Sequence, residues 1–407
     1  MNKNNGLKRI VTISFSGAGH LLPYHLGAAT VLMKACGAVD STATKTMPLA
    51  PGNTFRGLRK QEQDRLGEKT KNDNDQQRAP LLPPIKAVAG SSSGSIAAAL
   101  MAYLPHKMEE YADKFIREGG HAYQIFERMI LAEEEEREKK SINAARTKIR
   151  QWELYVCGTR CTDGELCLFP FNYNANTAGT TDFNKDCTSR KIMTSKMFEC
   201  VEEREYLFKA IQASCKIPVS FHPIDMISWP IFGASKLNYD EDGIQINDQY
   251  YCDGGIVAPA PPTPYDFNTN GEYYTIHNNE FDKSNCDPND NDNCSSNSDY
   301  DNMLYHNNRI IVTPIESFHR DKNTQNQSIH RISPNKNKKS SGIFNLRCRG
   351  DFSICLSAQN VHAFGNSMGG NADQDTLRHW YQRGKHDTEQ FVKEEEAKQN
   401  SIKPRQE

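Results

Sequence analysis

The sequence predicts an α/β protein, and two strand–turn–helix units carry that prediction. The first is an apolar strand over residues 9–15 that ends at a glycine-bearing turn and leads into a helix. The second is a strand over 85–89 that enters the pentapeptide 90–94 and a helix of small residues. With 407 residues, the chain can hold one large α/β domain or two ordinary ones, each with a sizeable core.

Composition excludes several classes of protein. A formal net charge of −2 and a pI near 6.6 give no electrostatic footprint for nucleic acid. The longest apolar run, Ile96–Leu104, is about half of the roughly 18–20 residues needed to cross a bilayer. The N-terminus is a poor signal peptide, so we expect the twelve cysteines to be free thiols in a reducing compartment. We therefore expect a cytoplasmic protein.

The first unit starts with a buried strand, 9–15, and continues into a helix. Pro23 suits the first turn of that helix, where its missing N–H would have been unpaired. Residues 40–84 then break the pattern with prolines and a charged polar run. We interpret them as an inserted surface loop.

The second unit is followed by a long charged helical region from Lys107 to about Val156. An apolar stripe indicates amphipathic helices, and Gly119-Gly120 interrupts them. The run 133–136, four glutamates, is typical of a solvated helix face. Residues 157–200 form a second predicted insertion, a cysteine-containing loop, and a helix is expected over 197–214.

The C-terminal third divides into two predicted parts. A hairpin around 239–251 runs into Asp253-Gly254-Gly255 at the end of the main domain. Residues 267–350 are predicted to be a polar, partly disordered linker that contains a late strand near 309–313. Residues 351–407 are predicted to be a helical extension with a charged, frayed tail after Lys393.

Ser92 is the candidate nucleophile. It stands at the centre of a G-x-S-x-G pattern, with Gly90 two residues before it and Gly94 two residues after it. Glycines at these places allow a tight, strained strand-to-helix turn that presents the serine oxygen outward. The following helix directs its N–H groups and its positive dipole end toward the same place.

Gly17, Ala18 and Gly19 are the candidate oxyanion-hole residues. Residues with little or no side chain let two or three backbone N–H groups converge on a developing negative oxygen. Asp253 is the candidate base, and Gly254 and Gly255 allow the sharp turn that would bring its carboxylate against the serine. Together, these residues predict a serine–aspartate dyad.

A histidine-containing triad remains open as an alternative. It would need a histidine after the acid, and seven are available: His277, His306, His319, His330, His362, His379 and His386. None of them stands in a recognisable motif.

The three motifs, in this order, resemble the patatin-like phospholipase family. The match lies in 16–19, 90–94 and 253–255. The adiponutrin-like animal branch is similar in 14–19, in Tyr24-His25-Leu26-Gly27 and in 213–219. The resemblance covers about residues 9–266 apart from the insertions, and it implies a patatin-like catalytic domain with those bounds.

The resemblance implies a three-layer α/β/α fold with a central, mostly parallel sheet. It implies hydrolysis of glycerolipid carboxylic esters through an acyl-enzyme on Ser92, without a cofactor or metal. A triacylglycerol lipase and a phospholipase A both fit, and the enzyme would work at a membrane or lipid-droplet surface. An acyltransferase that uses the same site stays open as an alternative.

The chain departs from the family pattern at one place. The family's glycine-rich loop usually reads G-x-G-x-x-G, and the last of these positions is Leu22 here. We interpret it as a packing position rather than an oxyanion donor. The departure keeps open a catalytically weak or inactive lipid-surface binding protein.

Other features carry weaker functional hypotheses. Cys157, Cys161, Cys167 and Cys187 lack the paired spacing of strong zinc sites, so we expect no metal there. Residues 287–292 lack the glycine and glutamate of a calcium loop. The basic residues of 331–349 would suit anionic lipid or a solvated linker equally well.

Overall fold

The fold is described from a computed structural model of the 407-residue chain. The described residues are 9–37, 81–119, 121–140, 152–171, 198, 201–218, 243–256, 258, 260–266, 306–315, 317–319, 327–334, 345–347, 352–355 and 372–402. Outside them lie most of the insertion predicted at 40–84 and much of the 267–350 segment. The segment 287–292, which partly matches a calcium-binding loop, also lies outside them.

A mixed eight-stranded sheet forms the centre of the molecule, in the order β5-β6-β3-β2-β1-β7-β9, with β4 also paired to β3. Its strands are β1 (Arg9–Phe15), β2 (Ile85–Ser91), β3 (Glu153–Arg160), β4 (Leu166–Phe171), β5 (Ile244–Ile246), β6 (Gln249–Asp253), β7 (His306–Val312) and β9 (Gln327–Ile332). The pairs from β3 through β2, β1 and β7 to β9 are parallel, whereas β4, β5 and β6 pair antiparallel. A second, three-stranded sheet consists of β8 (Ser317–His319), β10 (Asn345–Arg347) and β11 (Phe352–Cys355).

Helices flank the sheet and complete the predicted three-layer α/β/α fold. They are α1 (Leu22–Ala35), α2 (Ser93–Tyr103), α3 (Met108–Glu118), α4 (Ala122–Lys140), α5 (Val201–Ser214) and α6 (Gln374–Ile402). Short 3₁₀ turns occupy Gly19–Leu21, Pro105–Lys107, Gly254–Ile256 and Pro264–Asp266. No helix within the described ranges is long and apolar enough to cross a bilayer.

Both early strand–turn–helix units form as predicted. β1 leads through the loop 16–18 and a 3₁₀ turn into α1, with Pro23 in its first turn. β2 leads directly into α2, every residue of which is buried. The helix break expected at Gly119 is also present, because Gly119 ends α3 with a φ of 60°.

Three sequence-based boundaries need correction. The first part of the loop predicted at 157–200, and the end of the helical region predicted up to about Val156, are strands instead: 153–160 and 166–171 are paired, and their apolar side chains face the core. The 267–350 linker contains β9, which adds an ordered parallel edge to the main sheet beside the predicted late strand. The extension begins with a strand, β11, rather than a helix.

The tail predicted to fray after Lys393 is helical up to Ile402. The tail contacts the main domain, where Gln399 Nε2 donates a 2.8 Å hydrogen bond to the Leu81 carbonyl oxygen and Glu395 lies 3.6 Å from His330. Earlier in α6, Tyr24 Oη of α1 donates a 3.0 Å hydrogen bond to Asp387, and the two helices approach at Gly27 and Gly384. A β-carbon at Gly384 would lie 2.1 Å from the Tyr24 carbonyl oxygen. The C-terminal helix is therefore part of the core of the main domain.

Candidate active site

The turn that carries Ser92 has the geometry of a nucleophile elbow. Ser92 lies between β2 and α2 with φ 51° and ψ −134°, a left-handed conformation that a non-glycine residue rarely adopts. Its side chain makes no capping hydrogen bond to the helix that it begins, and the residue is partly exposed. The hydroxyl is therefore directed to other partners.

The two glycines of the pentapeptide are required by close backbone contacts. A β-carbon at Gly90 would lie 2.3 Å from the Gly94 carbonyl oxygen. One at Gly94 would lie 2.5 Å from the carbonyl oxygens of Phe15 and Ser16. The elbow is thus packed directly against the end of β1.

The loop Gly17–Gly19 lies beside the elbow because β1 and β2 are parallel neighbours, with Phe15 opposite Gly90. A β-carbon built on Gly17 would stand 3.4 Å from the Ser92 β-carbon and 3.5 Å from the Gly255 α-carbon. Gly19 has a φ of 49°, so the chain turns there in the left-handed region. This places glycine backbone next to Ser92.

Asp253 lies at the same end of the sheet as Ser92, at the end of β6, and β3 separates β6 from β2. β6 pairs with β3, which places Gly158 opposite Asp253, and β3 in turn pairs with β2, which places Cys157 opposite Ser91. Gly254 follows in a tight turn, where a β-carbon would lie 2.1 Å from the Cys157 carbonyl oxygen. The glycine lets the chain turn directly against β3.

Asp253 is buried, with 5% of the residue exposed, and its carboxyl lies beside Ser92: a β-carbon built on Gly255 would stand 3.0 Å from Asp253 Oδ1 and 3.9 Å from the Ser92 β-carbon. The Gly255 N–H donates a 2.7 Å hydrogen bond to the same carboxyl. Burial raises the pKa of Asp253 from 3.8 to about 6, although the neighbouring Ser92 hydroxyl and the Gly255 N–H favour the charged form. A carboxyl with this pKa is ionised at neutral pH and is a stronger base than an exposed aspartate.

The comparison with known families agrees with this geometry. The family model described as patatin-like phospholipase matches residues 13–264, which is more than half of the chain and includes all three motifs. The chain belongs to the patatin-like phospholipase family. No curated protein matched the chain. Membership of the family indicates lipid acyl hydrolase activity.

The matched patatin-like region ends at 264, but the helix α6 at 374–402 packs against its α1. α1 follows directly from the glycine loop, so the C-terminal helix supports the element that leaves the candidate oxyanion hole. Leu22, at the start of α1, is fully buried in the core. Its position in this patatin-like domain is one of packing, as the sequence indicated.

Among the described residues, no histidine is hydrogen-bonded to the Asp253 carboxyl. The neighbours of this carboxyl are Ser92 and the Gly255 N–H. His330 instead lies 3.6 Å from Glu395, and His379 and His386 belong to α6. His25 lies in α1, and burial lowers its pKa to about 3. His277 and His362 lie outside the described residues, and nothing is described of the side chains of His306 and His319.

No group of three metal-ligating side chains occurs in the described part of the chain. Cys157 and Cys161 are buried thiols, Cys167 is a half-buried one, and Cys187 lies outside the described residues. Burial raises the pKa of Cys157 well above its ordinary value, with smaller contributions from Cys167 and Asp253. The Cys157 thiol of β3 is therefore protonated at neutral pH, while Cys161 follows β3 and Cys167 belongs to β4.

Sequence reasoning from the residues missed the contacts that brace the two candidate catalytic residues. Ser214, at the end of α5, binds the Ser92 backbone, and Lys216 binds the Asp253 backbone. Thr159 donates a 2.8 Å hydrogen bond to the Asp253 carbonyl oxygen. Only the resemblance of 213–219 to a family segment pointed to this region, and no residue pattern gives the contacts themselves.

Proposed function

We propose that this protein hydrolyses carboxylic esters of glycerolipids through a Ser92–Asp253 dyad and an acyl-enzyme. The observation that carries the proposal is the placement of the partly exposed Ser92 beside the buried Asp253, since a β-carbon built on Gly255 would stand 3.0 Å from Asp253 Oδ1 and 3.9 Å from the Ser92 β-carbon. A nucleophile needs a base within hydrogen-bonding reach, and the base works best when its pKa lies near the operating pH. Both conditions are met by this pair.

In the acylation step, Ser92 Oγ attacks the ester carbonyl carbon while Asp253 accepts its proton. The negative charge that develops on the carbonyl oxygen is stabilised by N–H groups of the loop Gly17, Ala18 and Gly19. When the tetrahedral intermediate collapses, Asp253 returns the proton to the departing alcohol, and an acyl-serine remains. Removing one such oxyanion donor typically raises the barrier by ~2.7–4 kcal/mol.

Deacylation repeats the same proton movements with water. Asp253 accepts a proton from water as the oxygen attacks the acyl-serine carbonyl carbon. The collapse of this second intermediate breaks the bond to Ser92 Oγ, which takes back the proton, and releases a fatty acid. An alcohol in place of water would make the same site an acyltransferase.

The substrate proposal covers triacylglycerol lipase and phospholipase A activity. It is supported by the resemblance of 14–19, Tyr24–Gly27 and 213–219 to the adiponutrin-like branch. We place the enzyme in the cytoplasm, at the periphery of membranes or lipid droplets, with no nucleic acid partner and no cofactor. Leu22 packs in the core, so the departure from the family pattern at this position removes no catalytic side chain.

Release of fatty acid from mixed vesicles of phospholipid and triacylglycerol tests the proposal. The wild type should release fatty acid, whereas Ser92→Ala should not. Both proteins should bind the vesicles equally, since the substitution removes one oxygen at the site. Binding to the vesicles without Ser92-dependent release would instead support the lipid-surface binding protein.

A further inference from the structure

Ser214 contacts the backbone of the nucleophile elbow from the end of α5. Its hydroxyl accepts a 2.9 Å hydrogen bond from the Ser92 N–H and donates a 2.5 Å hydrogen bond to the Cys157 carbonyl oxygen. The Ser214 residue itself is fully buried. One hydroxyl therefore joins the elbow to β3, the strand that lies between Ser92 and Asp253.

The next two residues continue the same contact. Cys215 Sγ lies 3.9 Å from Ser95 Oγ, which donates a 2.6 Å hydrogen bond to the Ser92 carbonyl oxygen. The Lys216 carbonyl oxygen accepts a 2.9 Å hydrogen bond from the Asp253 N–H. Three consecutive residues thus reach the backbone of both candidate catalytic residues, directly or through one side chain.

The conformation of Ser92 explains why such contacts are needed. A non-glycine residue with a positive φ is strained and persists only where its surroundings determine it. The backbone N–H of this partly buried residue also gains stability from an acceptor within the protein. Ser214 supplies that acceptor at the strained residue itself.

We propose that Ser214, Cys215 and Lys216 form a positioning bridge that holds Ser92 and Asp253 in the relative placement their proton transfer requires. Ser214 is the central positioning residue, because it alone binds the Ser92 N–H and β3 together. The bridge acts through the nucleophile and base and does not contact substrate. This inference deepens the proposed function and depends on it.

Ser214→Ala separates positioning from general stability. The variant leaves the Ser92 N–H and the Cys157 carbonyl without their partner while keeping the side chain small. We expect the saturating rate of fluorophosphonate labelling to fall about ten- to a hundredfold, with the half-saturating probe concentration unchanged. Ser214→Thr keeps the hydroxyl and should recover most of that rate.

Thr388→Ala is the matched control. Thr388 is also fully buried and donates a 2.7 Å hydrogen bond to the Gly384 carbonyl oxygen, far along the chain in α6. This variant should lose comparable stability and keep the labelling rate. An unchanged rate in folded Ser214→Ala, or an equal fall in Thr388→Ala, would overturn the bridge.

Hydrogen exchange at the Ser92 amide decides the inference even if a variant fails to fold or the wild type is inert. In the wild type this amide should exchange as slowly as those of the core strands, and in folded Ser214→Ala it should exchange faster. Fast exchange in the wild type would contradict the bridge. A folded wild type that shows slow exchange but no labelling would instead contradict the proposed function and leave the bridge supported.

Discussion

The two turns that meet at the site are built in different ways. The turn after β2 holds Ser92 in a left-handed conformation, partly exposed, with glycines on both sides pressed against neighbouring backbone. The turn after β6 buries the Asp253 carboxyl and raises its pKa to about 6. The first turn positions the Ser92 side chain through a strained backbone conformation. The second raises the pKa of the Asp253 side chain by burying it away from water.

This difference indicates how each residue should respond to change. The nucleophile depends on the geometry of its backbone, so small steric changes nearby should alter its reactivity. The base depends on its environment, so changes in charge should alter both activity and the pH dependence of stability. The following predictions separate the two kinds of dependence.

Asp253→Asn should have the largest effect on turnover. An amide cannot accept the Ser92 proton, so kcat should fall about 10²–10⁴-fold, the usual contribution of a general base. The fold should survive, because an asparagine oxygen can still accept the Gly255 N–H. Steady-state ester hydrolysis with circular dichroism on the same sample checks this, and turnover that persists at the wild-type rate would contradict the dyad.

Gly254→Ala should destabilise the turn that follows Asp253. The new β-carbon would lie 2.1 Å from the Cys157 carbonyl oxygen, so β6 must move away from β3. We expect the free energy of unfolding to fall by about 1–3 kcal/mol, the usual cost of overpacking. Urea denaturation measures this loss.

Gly119→Ala is the control for that substitution. It has a φ of 60° but no atom within 4 Å of the added carbon, so it carries backbone strain without a clash. It should lose less stability than Gly254→Ala and keep its activity. Equal losses in the two variants would show that the close approach to β3 does not decide the effect.

The pH dependence of stability should distinguish the buried base. The folded-state pKa of Asp253 lies above its ordinary value of 3.8, so the folded protein binds more protons than the unfolded chain between about pH 4 and 6. Stability should therefore fall as pH rises through this window, by about 3 kcal/mol at most. Because other shifted carboxyls such as Asp387 titrate in both proteins, the test is the difference: the melting temperature of the wild type should fall more over this window than that of Asp253→Asn.

The same ionisation should control turnover. Because only the ionised carboxyl accepts the serine proton, kcat/KM should rise about tenfold per pH unit below about 6 and level off above it. A profile measured with a soluble ester checks this. A plateau that extends without change to pH 4 would argue against a base with a raised pKa.

Gly17→Ala should change the stability of the fold least among these variants, although the added methyl group would lie beside Ser92. Its β-carbon would stand 3.4 Å from the Ser92 β-carbon, an ordinary contact, so the melting temperature should stay close to the wild type. The methyl group would occupy space beside the reacting serine, and activity should fall about tenfold. Equal activity in Gly17→Ala and the wild type would remove this loop from the site.

Local patterns were enough to predict the two strand–turn–helix units and to select the residues that the structure brings together. Glycine spacing around Ser92 and the small residues of α2 specify local geometry, and they do so within a few residues of the site. The meeting of Ser92 and Asp253 is a long-range event, and its prediction relied on the order of three motifs rather than on any local signal.

The remaining differences have physical causes that a local pattern does not contain. The strand β9 contains several polar residues and follows a polar segment of the chain, so its sequence does not look like a strand. Parallel pairing with β7 holds it in the sheet. The charged end of α6 is helical and contacts β9 through Glu395 and the Leu81 carbonyl oxygen through Gln399. Ser214 is one serine among many in the sequence, and only the folded chain brings its hydroxyl to the Ser92 amide.

Mass spectrometry of the fluorophosphonate-labelled protein tests the central proposal most directly. The account predicts a single adduct on Ser92 of the wild type, no adduct in Ser92→Ala, and labelling slowed by orders of magnitude in Asp253→Asn. An adduct on another residue, or a folded wild type that does not label, would contradict the Ser92–Asp253 dyad.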